Sequence, residues 1–503
     1  MAADRAIYEH IVTSIVDGRL SDDFSLEDYD EPGQPIRMAD GALDGIHVYH
    51  MAPPELPDDI VQTIAGAFEL SCAGGRDAAD ATLSQLLAQY RAIGLVDQIQ
   101  QAVMDVAQRV PAQALYGSAV LPILTSTDKE MVKLGLAVLE MFNEPDEMMK
   151  EVVRNLALSD EFAIFCAWNA QKWANGNQEL LEMARRVRGW GRVHIVAMLE
   201  PTTDEVRDWL FRDGVDNDVM PEYSALVCYV KAGVAERLAG EMGHDDFSAA
   251  TAIVRSAMGD GPVPGIPALD DPKAEFGRYV AQAARQTLDL DDCECLLAIA
   301  RFARDRGWDD LVASCEALLR TDAVRSMLVG ELAQGRGVEL AQVLGLPYKD
   351  ALLEALRADF DRLYPHCHWL MDVPAYLDAV LDLYRERVPL EGIEDDPRDE
   401  IGLSEEFDRY NTLDFLVQSL RHKLPTGLDF VLRTLTSPTV RNRTLSHRAL
   451  RCWVSDEGRP LAEVSPEAYQ RLRYAYDREP REDIRANMLP LLEGATEFDG
   501  DLM

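Results

Sequence analysis

Cysteine is scarce: eight residues in a chain of 503, with no spacing that suggests a disulfide framework. Cys72, Cys166, Cys228, Cys315 and Cys452 stand alone among apolar neighbours, where a thiol behaves as a small hydrophobe. No run approaches the roughly 18 uninterrupted apolar residues of a transmembrane helix, so none is expected. Met1–Val12 carries acidic residues and no long apolar stretch, so no secretory signal is expected. A reducing, cytoplasmic setting is the expectation that follows.

Positive charge is also in short supply. Lys and Arg number 49 against 88 Asp and Glu, a formal net charge of -39. Phosphate backbones and anionic membrane surfaces require the opposite sign, so neither nucleic acid nor membrane is the expected partner. Such a surplus of acid favours basic partners.

Catalytic signatures are missing as well. There is no phosphate loop ending in Gly-Lys, no Gly-x-Gly-x-x-Gly, no Gly-x-Ser-x-Gly elbow and no His-Glu-x-x-His. Cys293-Glu294-Cys295 and His366-Cys367-His368 offer soft ligands in close spacing, but positions i and i+2 of a helix point apart. Asp213, Asp216, Asn217 and Asp218 lack the register of an EF-hand and read as a capping loop. No metal, no cofactor and no catalytic residue is expected.

What the chain does have is helical period. In Glu130–Phe142 the apolar residues Met131, Leu134, Val138 and Met141 keep the three-and-four spacing of one helix face, as do Leu352, Leu353, Leu356, Phe360 and Leu363. No Asn-Gly or Asp-Gly hairpin between strand-like runs stands out. Thr127-Asp128-Lys129-Glu130 and Thr202-Thr203-Asp204-Glu205 fit capping boxes. Ser437-Pro438 and Ser465-Pro466 place a cap residue before a proline at the first helical position.

These starts recur. Leu124, Leu134, Leu139 and Phe142 share their spacing with Leu435, Leu445, Leu450 and Trp453, and Leu156 to Trp173 forms a copy one residue shorter. A loop, a capped helix and a closing aromatic, repeated, predict an all-α chain: an α-solenoid of helix-turn-helix pairs in which each pair completes its neighbour's core. Residues 1–57 read as an N-terminal helix and irregular arm, 58–260 as a first helical segment, 261–272 as a Pro/Gly linker and 273–503 as a second helical segment. Residues 389–402 read as a solvated acidic loop.

Two basic islands interrupt the acidic background. Residues 183–199 hold Arg185, Arg186, Arg188, Arg192 and His194 around Gly189-Trp190-Gly191. Residues 421–454 include Arg441, Asn442 and Arg443. Arginine forks grip carboxylate or phosphate and an indole offers a stacking face, so Arg188, Trp190, Arg192, His194, Arg441, Asn442 and Arg443 are the candidate ligand- or partner-binding residues. The competing reading is internal pairing with neighbouring acids. Arg304-Asp305-Arg306-Gly307-Trp308 matches Arg186-Val187-Arg188-Gly189-Trp190, which suggests that Gly-Trp is a helix terminator.

The runs Gly189-Trp190-Gly191-Arg192-Val193-His194, Leu199-Glu200-Pro201-Thr202-Thr203, Val206-Arg207-Asp208-Trp209-Leu210 and Tyr223-Ser224-Ala225-Leu226 resemble a bacterial family of HEAT-like helical-repeat proteins. Ser437-Pro438 with Arg441-Asn442-Arg443 does so too. The resemblance covers about residues 115 to 485, and some members of that family carry the label limonene hydroxylase. It therefore implies either monoterpene oxidation or a repeat scaffold. Oxidising an unactivated C–H bond needs a haem, flavin, iron or copper centre, and no fingerprint of one is found in the residues. A scaffold that binds a protein or other macromolecular partner is the expected function, a protein being the expected partner, with oligomeric state open.

Overall fold

The computed structural model describes residues 5–30, 37–259, 261–402 and 404–498. The chain is all-α: 68% of it is helical. It divides into two compact units, Met1–Glu316 and Ala317–Met503. The Pro/Gly stretch expected to be a linker lies inside the first unit, where Ile266 is buried and its N–H donates to Ala257 O at 2.7 Å. Residue 260 of that region and residues 31–36 of the arm lie outside the described residues.

In the first unit, α1 (Ile7–Thr13) leads into an arm that carries α2 (Ala42–His50). Next, α3 (Ile60–Cys72) packs on α4 (Arg76–Tyr90) and on α5 (Val96–Ala107). Then α6 (Ala112–Thr125) pairs with α7 (Lys129–Leu139), and α8 (Glu147–Leu156) with α9 (Asp160–Gln171). Then α10 (Gly176–Ala184) pairs with α11 (Trp190–Met198), and α12 (Asp204–Arg212) with α13 (Glu222–Lys231), and further helices from Val234 onward complete the unit. Consecutive pairs touch their neighbours, α7 on α9 and α9 on α11, as stacked solenoid repeats do.

The one-face reading of α7 is too modest. Every residue from Met131 to Leu139 is buried, as is every residue from Trp190 to Val196 of α11 and most of α9. A helix buried all round has neighbours on both sides. Here α6, α8 and α10 pack on these helices, and so do α4, α2 and α13.

Local signals fared unevenly. Ser465 caps its helix through Ala468 N, with Pro466 at the first position. Thr127 does not cap α7; Asp128 does, accepting from Glu130 N at 2.9 Å and Met131 N at 3.4 Å. Thr203, one residue later than expected, caps α12. The helix after Ser437-Pro438 starts at Val440 with Thr439 at its cap. Gly307-Trp308 does end a helix, with Gly307 at φ +69, whereas Gly189-Trp190 begins one. One Asp-Gly hairpin was overlooked: Asp17-Gly18, both at positive φ, joins Ile15–Val16 to Arg19–Leu20.

In the second unit, Asp408–Ser419 packs on Val440–Glu457, and Pro466–Arg478 on Glu482–Leu492. Leu435, Leu445, Leu450 and Trp453 are all buried, the core their recurrence implied. The 389–402 segment is docked rather than merely solvated. Ile393 is buried, and Glu400 O accepts from Val440 N at 2.8 Å.

Candidate functional site

Lysine is out of place in the buried run of α7, yet Lys133 is fully buried there. Three carboxylates explain how. Its Nζ lies 2.6 Å from Glu161 Oε1, 2.7 Å from Asp44 Oδ2 and 3.1 Å from Glu130 Oε1. Glu130 and Glu161 stand in the first turns of α7 and α9, and Asp44 in the first turn of α2, so three helix starts converge on one ammonium. Arg91 completes the cage, 2.8 Å from Glu130, 3.4 Å from Asp44 and 3.8 Å from Glu161. It follows the last residue of α4 with φ 57, a backbone conformation that side chains rarely adopt.

The electrostatics follow from burial set against pairing. Burial alone would lower the Lys133 pKa, but Asp44, Glu161 and Glu130 outweigh it and raise it. Burial pushes the Asp44 carboxyl up beyond what Lys133 offsets, and Glu130 and Glu161 push it further. Burial acts on Glu161 too, but Lys133 and Lys129 overcome it and hold that carboxyl low. Its second oxygen accepts Gly41 N–H at 2.9 Å.

A cavity of about 320 Å³ lies beside the cage. Its walls include Tyr29, Met38, Leu43 and Leu87, with the cations Arg91 and Lys129 and the carboxylates Asp30, Asp40, Asp128, Glu130 and Glu161. Several of these are tied: Lys129 to Asp30, Glu130 to Ala92 N at 2.6 Å, and Asp128 to the start of α7. Asp40 is only partly compensated. Burial raises its pKa and Glu161 adds to the rise, against Lys129 and against Arg37, which is 3.6 Å away.

The candidates drawn from the sequence lie elsewhere. Arg188 is bound at 3.1 Å to both Asp216 and Asp218 of the acidic loop, whose Asn217 Oδ1 caps Val219 and Met220. Trp190 is buried, and an added Cβ at Gly45 of α2 would stand 2.1 Å from its ring. Arg192 donates to Asp213 O at 2.7 Å and lies 5.1 Å over the Trp209 ring. His194 is stacked on Tyr49 at 5.7 Å, and burial pushes its pKa down to about 4.

In the second unit, Arg441 pairs with Asp414 at 3.2 Å, and Asn442 donates to Asp414 at 2.6 Å and to Tyr410 O at 2.8 Å. Arg443 is fully buried and forks onto Glu479 at 2.7 and 3.0 Å. Its remaining donors reach Ser437 O at 2.9 Å and Pro438 O at 2.7 Å. Pairing within the protein therefore engages Arg188, Arg192, Arg441, Asn442 and Arg443. The two islands belong to different units.

Cys293, Cys295 and Cys367 are buried, and burial pushes their thiols up to about 12, 12 and 11. Among the described residues no group of three or more His, Cys, Asp or Glu is arranged to hold a metal ion. Sequence pattern does not single out the cage residues Asp44, Arg91, Lys133 and Glu161, and it places Glu130 in a capping box. The available signal was one lysine inside a run of apolar residues. No family model, no curated protein and no solved structure matches this chain.

Proposed function

We propose that the protein is a helical-repeat scaffold that binds a protein partner, and that the cavity of the first unit receives a lysine or arginine side chain of that partner. Asp40 carries the reading. It is a part-buried carboxylate on a cavity wall whose burial, with Glu161 beside it, outweighs Lys129 and Arg37 and raises its pKa, so an incoming ammonium or guanidinium would supply the charge it lacks. The net charge of -39 acts in the same direction, drawing a basic partner towards the chain. Among the arginines of the two islands, Arg188, Arg441 and Arg443 already pair with carboxylates of the protein.

Fluorescence anisotropy tests the proposal. A labelled lysine-rich peptide should bind the purified chain, weaken with added salt and weaken further with Asp40→Asn. A glutamate-rich peptide of equal length should not bind. Equal binding of both peptides, or no effect of Asp40→Asn, would rule the reading out.

A further inference from the structure

The helix α2 contributes Leu43 to the cavity wall; Ala42, Gly45 and Tyr49 pack against Trp190, and little other apolar surface holds it. It buries Ala42, Asp44 and Gly45, while Leu43, Val48 and the following Met51 stay exposed. Its attachment is otherwise polar or aromatic. Gly41 N donates to Glu161, Tyr49 stacks on His194, His50 Nε2 lies 2.6 Å from Tyr223 Oη, and Asp44 meets Lys133.

The charges facing Asp44 come from three other elements. Lys133 and Glu130 project from α7, Glu161 from α9, and Arg91 from the end of α4. Counting only groups within ion-pair distance of one another, Lys133 and Arg91 would without α2 face Glu130 and Glu161, two cations against two anions, while Lys129 acts on Glu161 from further off and is paired to Asp30. Docking α2 adds Asp44 and leaves one surplus carboxylate in a buried place. A helix that leaves Leu43 and Val48 in solvent thus carries the carboxylate that exceeds the two cations of the cage.

We infer that α2 is a displaceable lid on the cavity, destabilised by its own Asp44 and held shut when that surplus charge is neutralised. A second clause rests on the cationic-ligand reading above: an ammonium group entering beside Asp40 and Glu161 supplies the neutralising charge and closes the lid. Protons act in the same sense. The Asp44 carboxyl is raised in the docked state, so docking strengthens as pH falls and weakens as pH rises through that raised value.

Hydrogen exchange on the full chain tests the lid. With no ligand at neutral pH, residues 42–50 should be at least about tenfold less protected than α9 and α11. Asp44→Asn removes the surplus charge and should raise that protection, leaving Lys133 two carboxylates. Gly45→Val, whose side chain would meet the Trp190 ring, supplies the open reference with α9 still protected. Protection of α2 equal to that of α9, or a loss of protection in Asp44→Asn, would overturn the lid. A lysine-rich decapeptide should protect α2 in the wild-type chain. If it does not while Asp44→Asn behaves as expected, the lid stands and the cationic-ligand reading falls.

Discussion

Asp160 Oδ1 accepts the backbone N–H of Gly191 at 2.7 Å, and so a carboxylate at the start of α9 caps the start of α11. The contact explains the Gly-Trp-Gly run. An added Cβ would stand 2.6 Å from Asp160 Oδ2 at Gly189, and 2.8 Å from Asp160 Oδ1 at Gly191. The glycines admit the carboxylate, and the tryptophan between them packs on α2. Gly191→Ala, which would also crowd Ala163, should destabilise the first unit by about 1–3 kcal/mol. Denaturant titration followed by tryptophan fluorescence would measure it.

Burial raises the Asp160 carboxyl to about 6, against the pull of its two backbone donors. A raised carboxyl stabilises the fold most below its unfolded value near 4, and that contribution is lost as pH climbs through about 6. Asp160→Asn keeps an acceptor and cannot ionise. Its stability should therefore lack the wild-type decline across that interval in a pH series of thermal melts.

His447 gives the opposite slope. It is buried in Val440–Glu457, neither ring nitrogen has a hydrogen-bond partner, and burial pushes its pKa down to about 3. A depressed histidine stabilises above its unfolded value, and that contribution fades as pH falls through the depressed one. One proton accounts for up to about 1.4 kcal/mol per pH unit. His447→Leu should flatten the acid side of the second unit's stability curve, and an unchanged curve would contradict this account.

Lys133→Met should be far more damaging than Asp44→Asn. It leaves three carboxylates facing Arg91 alone, and breaking a buried pair in this way typically costs about 3–5 kcal/mol. The two variants compared in one urea series would separate a required cation from a surplus anion.

Arg443→Met strands Glu479, a carboxylate 2% exposed, and frees the Ser437 and Pro438 carbonyls. A loss of about 3–5 kcal/mol is expected. Arg188→Ala breaks only exposed pairs and should change stability by less than about 1 kcal/mol. Similar losses for both would mean that burial is not what distinguishes these arginines.

Helix content and the repeating core were legible because period and leucine spacing are local properties. Leu134, Leu139, Leu445, Leu450 and Trp453 are buried as their recurrence implies. Cap positions were readable to within a residue or two, since several hydroxyls and carboxylates compete for the same few free N–H groups. Arg188, Arg192 and Arg443 could be listed as forks but not placed. A guanidinium has the same chemistry whether it meets a ligand or a carboxylate many positions away.

The sequence by itself determined the class of fold, the helical spacing and the acid surplus. Composition and period depend on near neighbours along the chain, so they need no coordinates. Only the tertiary structure decided that Asp44, Arg91, Glu130, Lys133 and Glu161 form one cage with a cavity at its side. These residues are up to 117 positions apart, and nothing local links them. Their meeting follows from how α2, α4, α7 and α9 stack, and the balance between burial and pairing that sets their charges exists only once they have met.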